Sequence, residues 1–262
     1  MDKPIIIIPT NSKYIDVVEN FLQMLKKNWP DCPYDTVVSV TGKKTSLKDT
    51  KSIYCGEKAT LIDCIVKAIG KRKNCICILG DMFMNKRIDN EKLQSIINTL
   101  IENKIQYCSL SFVKNYKKEK LFNEDLRLIN NLDRYSHNFA AFFASDRFVK
   151  DELSKFKTDL DFEKGFLYQK EDFYYTDRLA VRKNYLNIVA GITKGEWDRI
   201  NYRKLKKDNP EIVFADRPVQ SRKNSIICHV RGGVVHYLPS PIRVFLKKCT
   251  EKICRIDFGV ED

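Results

Sequence analysis

The sequence predicts an α/β fold, a mostly parallel sheet flanked by helices on both faces. Ile5-Ile-Ile-Ile8, enclosed by Pro4 and Pro9, and Cys75-Ile-Cys-Ile-Leu79 are unbroken apolar runs of strand length, the pattern of strands buried on both faces. Between such runs lie segments whose apolar residues recur at helical spacing. Up to residue 113 the two kinds alternate as βαβαβαβ, an order that implies right-handed crossovers and parallel neighbours.

Each element has its own signal. After the first strand, Thr10-Asn11-Ser12 reads as a polar loop; Ile15, Val18, Phe21, Leu22, Leu25 and Trp29 then recur at helical spacing until Pro30 stops them. Thr36 to Val40 forms a second strand before Gly42, and the lysine-rich stretch to Lys51 reads as a solvated loop. Gly56 precedes an amphipathic helix from Glu57 to Ile69 that ends at Gly70 and delivers the chain to the buried strand 75–79. Residues 89–102 repeat the helical period, and Ile105 to Val113 reads as another strand. Residues 114–134 are charged and aperiodic, as in a surface excursion. Asn138 to Ala144 is apolar and small, a strand or a tightly packed segment, followed by a helix from Asp146 to Phe156 capped by Ser145 or Asp146.

Leu160-Asp-Phe-Glu-Lys-Gly reads as a carboxylate-rich loop within a strongly aromatic segment. Tyr185 to Val189 forms a late strand, and Gly195-Glu-Trp-Asp-Arg precedes a basic helix or turn. Residues 211–224 read as extended and polar. Ile226 to Val230 continues into Arg231-Gly-Gly as a strand broken by glycines, and Ser240-Pro241 opens a C-terminal amphipathic helix. The chain divides as one domain, 1–262, with a first half 1–113, a second half 114–239, and a helix and tail 240–262.

With 262 residues the chain can bury a proper core without staples. Nine cysteines form no CxxC pair and no zinc spacing, which points to reduced thiols in the cytoplasm. No signal peptide and no apolar stretch of spanning length is apparent. The balance of 47 basic against 34 acidic residues, net +13, favours anionic partners: nucleic acid, an acidic membrane face or phosphorylated ligands. The lysines are dispersed, and no helix-turn-helix, zinc finger or aromatic RNA-binding signature accompanies them, so no nucleic-acid partner is expected. A basic nucleic-acid-binding or interaction protein is the alternative class. GxxxxGK[ST], GxGxxG, GxSxG and HExxH are all absent.

What remains is polar residues at strand ends. Asp81 follows the buried strand, and in open α/β sheets ligands bind in the crevice outside the carboxyl ends of strands; Gly80-Asp81 also reads as a plain turn. Thr10-Asn11 and Gly56-Glu57 occupy comparable positions. Asp161 and Glu163 are carboxylates able to act on a proton or to cap a loop. His137 and Trp197 could contact a sugar or serve as packing residues. Arg231-Gly232-Gly233 would let backbone approach a phosphate beside a cation, or simply bend.

Ile-Ile-Pro-Thr-Asn-Ser, Trp29-Pro-Asp-Cys-Pro-Tyr34, Ile-Leu-Gly-Asp-Met-Phe-Met, Tyr-Ser-His-Asn-Phe-Ala-Ala-Phe-Phe-Ala, Leu-Asp-Phe-Glu-Lys-Gly and Ile-Thr-Lys-Gly-Glu-Trp-Asp follow one another along most of residues 4–235. In order and spacing they resemble the GT-A (Rossmann-like) glycosyltransferases that assemble bacterial capsular and other surface polysaccharides. The resemblance implies a nucleotide-sugar donor and a glycan or lipid-linked glycan acceptor. Thr10 and Asn11 would hold the nucleoside; by their own chemistry and position, Gly56 and Arg231 are further donor candidates and His137 and Trp197 acceptor candidates. Asp81 would bind Mn²⁺ or Mg²⁺ at the diphosphate. Glu163, with Asp161 in reserve, would be the general base of an inverting transfer. Where relatives carry successive acids, this chain has Gly80 and Met82 around Asp81. It would need a second ligand, bind metal weakly, neutralise the diphosphate with Lys and Arg, or have lost activity. Lipid-linked acceptors, together with the basic edges of the last helix, imply peripheral contact with an anionic membrane at its inner face, against ordinary packing of that helix on the domain.

Overall fold

The computed structural model describes residues 3–113, 119–132, 137–166, 172–226 and 229. In chain order the strands are β1 (Ile5–Asn11), β2 (Thr36–Thr41), β3 (Lys51–Gly56), β4 (Asn74–Ile78), β5 (Met82–Met84), β6 (Tyr107–Ser109), β7 (Leu126–Asn130), β8 (Ala141–Ser145), β9 (Tyr174–Val181), β10 (Ile188–Ala190), β11 (Ile192–Thr193) and β12 (Glu196–Trp197). The helices are α1 (Ile15–Asn28), α2 (Leu61–Ile69), α3 (Asn90–Glu102), α4 (Asp146–Asp151), α5 (Asp159–Gly165) and α6 (Arg199–Asp208).

Eight strands form one mostly parallel sheet in the order β3-β2-β1-β4-β8-β6-β9-β7. β3, β2, β1 and β4 are parallel neighbours. β8 runs antiparallel between β4 and β6, and β7 runs antiparallel to β9 at the far edge. The chain leaves β1 towards β2 and β3, then returns to the other side of β1 as β4. That reversal opens a crevice at the carboxyl ends of β1 and β4, the usual ligand position in such sheets.

Strand pleating divides the interior into two cores. Ile6, Ile8, Ile76 and Ile78 face Val18, Phe21 and Met24 of α1, and Leu93, Ile96 and Ile97 of α3 join the same layer. Ile5, Ile7, Cys75 and Cys77 point the other way, onto Ile62 and Ile65 of α2, with Phe148 and Phe162 beyond them. This is the period-2 alternation of a strand covered on both faces. Cys32, Cys55, Cys64, Cys75, Cys77 and Cys108 are free thiols. No helix among the described residues is long and apolar enough to cross a membrane.

Several elements differ from the sequence expectations. The lysine-rich stretch expected as a loop ends in edge strand β3, whose residues 52–56 are only half-buried, so its signal is weak. Residues 114–134, read as an excursion, contain β7, where buried Arg127, 3.7 Å from Glu119, interrupts the apolar pattern. β9 begins at the end of the aromatic segment, and its polar residues hid it. The expected strand 105–113 shortens to β6, and the helix expected from Glu57 starts at Leu61 because Thr60 and Asp63 form a capping box. The carboxylate-rich loop is helix α5, with Thr158 accepting from Asp161 N–H at 3.0 Å. Residues 222–226 are helical, so Ile226 does not begin a strand. Arg231 and the expected C-terminal helix lie outside the described residues.

Candidate functional site

A cavity of about 430 Å³ occupies the crevice at the strand ends. Its walls are Pro9, Thr10 and Asn11 from β1, Tyr14, Val17 and Val18 from the following turn and α1, Thr41 from β2, and Ala59, Thr60 and Leu61 at the start of α2. Leu79, Gly80 and Asp81 after β4 and Lys157, Thr158 and Asp159 at the start of α5 complete it. The first turns of two helices therefore open into it, both capped by a threonine hydroxyl. Unpaired N–H groups and the helix dipole make such termini favourable to negative charge.

Local sequence sets each wall. Gly80 is required by close approach: a Cβ there would lie 2.6 Å from Val18 Cγ2, so only glycine lets the loop pass against α1. Asp81 is then held by its backbone, its carbonyl accepting from Gly191 N–H at 2.8 Å. On the opposite side the Thr41 hydroxyl lies 2.6 Å from Ala59 O and 3.0 Å from Gly56 O, tying β2 to the entry of α2. Asn11 accepts from Lys13 N–H at 3.0 Å and fixes the turn after β1.

Two carboxylates line the cavity. Asp81 has Oδ1 fully enclosed with no hydrogen-bond partner among the described residues. Burial, with a further push from the negative charge of Asp159, raises its carboxyl to about 6. Glu163 lies one helical turn beyond Asp159 on α5 and is not among the residues lining the cavity. Its Oε1 accepts from Phe139 N–H at 3.0 Å, and burial raises its pKa, with Asp159 again adding to the rise. Two acids on the wall and a third on the same helix, with Asp159 acting on both of the others, are the kind of arrangement that holds cations or handles protons.

No protein-family model matches the chain, and no curated protein does.

The residues expected at the site fall in four places. Thr10, Asn11 and Asp81 are brought together in the cavity. Gly56 stands one layer behind it, where φ +122° requires glycine and its carbonyl receives the Thr41 hydroxyl. Asp161 is solvent-exposed in the first turn of α5 and is not on the cavity wall. His137 and Trp197 take the packing alternative rather than the acceptor role. His137 is 2 % exposed, stacked between Phe166 at 3.9 Å and Tyr107 at 5.0 Å, and burial beside Arg178 holds its pKa well below the usual range. Trp197 is fully enclosed by Phe83, Tyr202 and Phe214, with Nε1 donating to Ala215 O at 2.9 Å. Neither ring is open to a sugar; both are core residues.

Among the described residues no three His, Cys, Asp or Glu side chains assemble as a metal-holding group. Asp81 and Asp159 are the carboxylates on the cavity wall, so a hard cation held there would draw its remaining ligands from phosphate and water. Sequence reasoning missed Asp159, Thr158, Lys157, Thr41 and Tyr14. Thr158-Asp-Leu-Asp161 carries the capping pattern that would have marked a helix start and placed Asp159 on its first turn.

Proposed function

We propose that the chain is a GT-A type glycosyltransferase, moving a sugar from a nucleotide-diphosphate donor to a surface-glycan or lipid-linked acceptor. The observation that carries this reading is the cavity at the β1/β4 reversal, which joins a polar wall of Thr10, Asn11 and Thr41 to the carboxylates Asp81 and Asp159. Thr10, Asn11, Tyr14 and Thr41 offer hydroxyl, amide and ring surface for a nucleoside. The first turn of α2 and Lys157 favour its phosphates.

Asp81 and Asp159 would hold Mn²⁺ or Mg²⁺, which neutralises charge on the departing diphosphate. Glu163 is the proposed base. With Oε1 engaged by Phe139 N–H, Oε2 can accept the acceptor's hydroxyl proton, and the raised pKa improves it as a base. The freed oxygen bonds the anomeric carbon as the carbon–oxygen bond to the diphosphate breaks, its electron pair leaving with the phosphate, and configuration inverts.

Thermal unfolding with a panel of nucleoside diphosphates and nucleotide sugars, each with and without Mn²⁺, tests the reading. A donor at about 100 times its Kd stabilises the native state by roughly 2.7 kcal/mol. The expected result is a metal-dependent rise that Asp81→Ala removes. No stabilisation by any nucleotide would overturn the reading.

A further inference from the structure

Arg178 on β9 lies outside the cavity just described, and its environment is unusual. Its side chain is 13 % exposed. The guanidinium carbon sits 4.2 Å from the centre of the Tyr175 ring, 5.2 Å from Phe166 and 5.4 Å from Phe148. Nη1 lies 3.3 Å from His137 Nε2. A guanidinium keeps its protons at every working pH, so Nε2 must be the acceptor, and His137 is the neutral tautomer with its proton on Nδ1. The cation therefore has a neutral partner and aromatic faces.

Its edge is unsatisfied. Nε is buried with no hydrogen-bond partner among the described residues. The carboxylate that comes within 4.0 Å among the described residues is Asp177, with Oδ1 at 3.9 Å from Nε, too long for a hydrogen bond and on a half-exposed side chain. Ring faces attract a guanidinium through its plane and do nothing for the N–H groups at its rim. A buried cation with an unpaired donor is costly, and such groups are ordinarily paired. The Nε/Nη2 edge is the fork that receives two oxygens of a phosphate or carboxylate side by side.

We propose that Arg178 is an anion-binding site, taking a phosphate or carboxylate oxyanion on its Nε/Nη2 edge, separate from the cavity at Asp81. α5 links the two places: Asp159 at its first turn lines the cavity, and Phe166 just past its end packs on Arg178. Seven residues of helix put them about 10 Å apart along α5. The site stands whether or not the chain transfers sugars, because it rests on Arg178 alone.

The test is thermal unfolding of the full chain against inorganic phosphate and, separately, acetate, at ionic strength fixed with chloride. Wild type should show a saturable rise with one of the two, and that arm identifies the oxyanion. Arg178→Met, which keeps the apolar stem, should weaken the apparent affinity at least tenfold, whereas Asp81→Asn should keep it. No saturable rise with either anion, or an equal rise in Arg178→Met, overturns the proposal. A rise strengthened in Asp81→Asn, where a repelling carboxylate is gone, and kept in Arg178→Met would place the anion in the cavity instead, and also overturns it. Should Arg178→Met fail to fold, the ¹⁵Nε–H resonance of Arg178, identified by its proximity to the Tyr175 ring, should move on titration in the wild-type protein; a stationary resonance overturns the proposal.

Discussion

Asp81 is held ionisable against its surroundings, and the consequence is measurable without knowing the ligand. Its carboxyl rises from 3.8 to about 6 in the folded chain because burial disfavours the charge and Asp159 repels it. Between those values the native state binds more protons than the unfolded state, so this group's contribution is most favourable below about pH 4 and is lost as pH rises through 6. Asp81→Asn should therefore stabilise the protein above pH 7 by up to about 3 kcal/mol and flatten the fall in stability between pH 4 and 7. Urea midpoints taken across that range check it; an unchanged slope would mean the carboxyl is not perturbed. The same substitution should remove the nucleotide response, a gain in stability at the expense of function. Trp197 teaches the opposite lesson. In sequence an aromatic flanked by Glu196 and Asp198 reads as a sugar contact or as packing, and only the fold, in which Phe83 and Phe214 enclose it, decides for packing.

At the scale of elements, α5 is the piece on which most depends. It is short, and it carries Asp159 and Glu163 on one face, Phe162 in the second core and Phe166 at its end. Thr158→Ala removes the hydroxyl that caps its first turn and should cost about 1 kcal/mol in global stability. Because that turn also positions Asp159, turnover of the proposed transfer reaction should fall well beyond what the lost stability explains; calorimetry beside an activity assay separates the two, and a parallel loss would refute the positioning role. α5 also marks where sequence reading stopped working. β1, β4 and α1 were legible because one physical demand, burial on both faces or on one stripe, wrote their pattern. The capped start of α5 is signalled by two residues, Thr158 and Asp161, inside a segment whose acids suggest a loop. β3, β7 and β9 mix burial with partners such as the Glu119 carboxylate on Arg127, and no single periodicity survives that mixture. Thr10, Asn11 and Asp81 could be found because strand ends are marked by composition. Thr41 and Tyr14 could not, since their part in the cavity is set by how separate elements meet.

At the scale of the whole molecule, the sheet joins early and late parts of the chain. β8, from the second half, is the only strand among the described residues that bonds both β4 and β6 of the first half. Until residues 141–145 exist, β4 is a bare edge of alternating cysteine and isoleucine, Asn74-Cys-Ile-Cys-Ile78, with neither proline nor charge to blunt it. A fragment covering residues 3–113 should associate edge to edge, scattering light and binding thioflavin at concentrations where the full chain does neither; a dispersed, folded fragment would contradict this. During synthesis the ribosome exposes that edge for some thirty residues of elongation beyond residue 113, several seconds at the slow end of translation rates of roughly 5–20 residues per second. Yield on expression should consequently depend on how fast this middle stretch is translated, so that synonymous codon changes between residues 79 and 145, which alter no atom of the product, shift the balance between folded and aggregated chain.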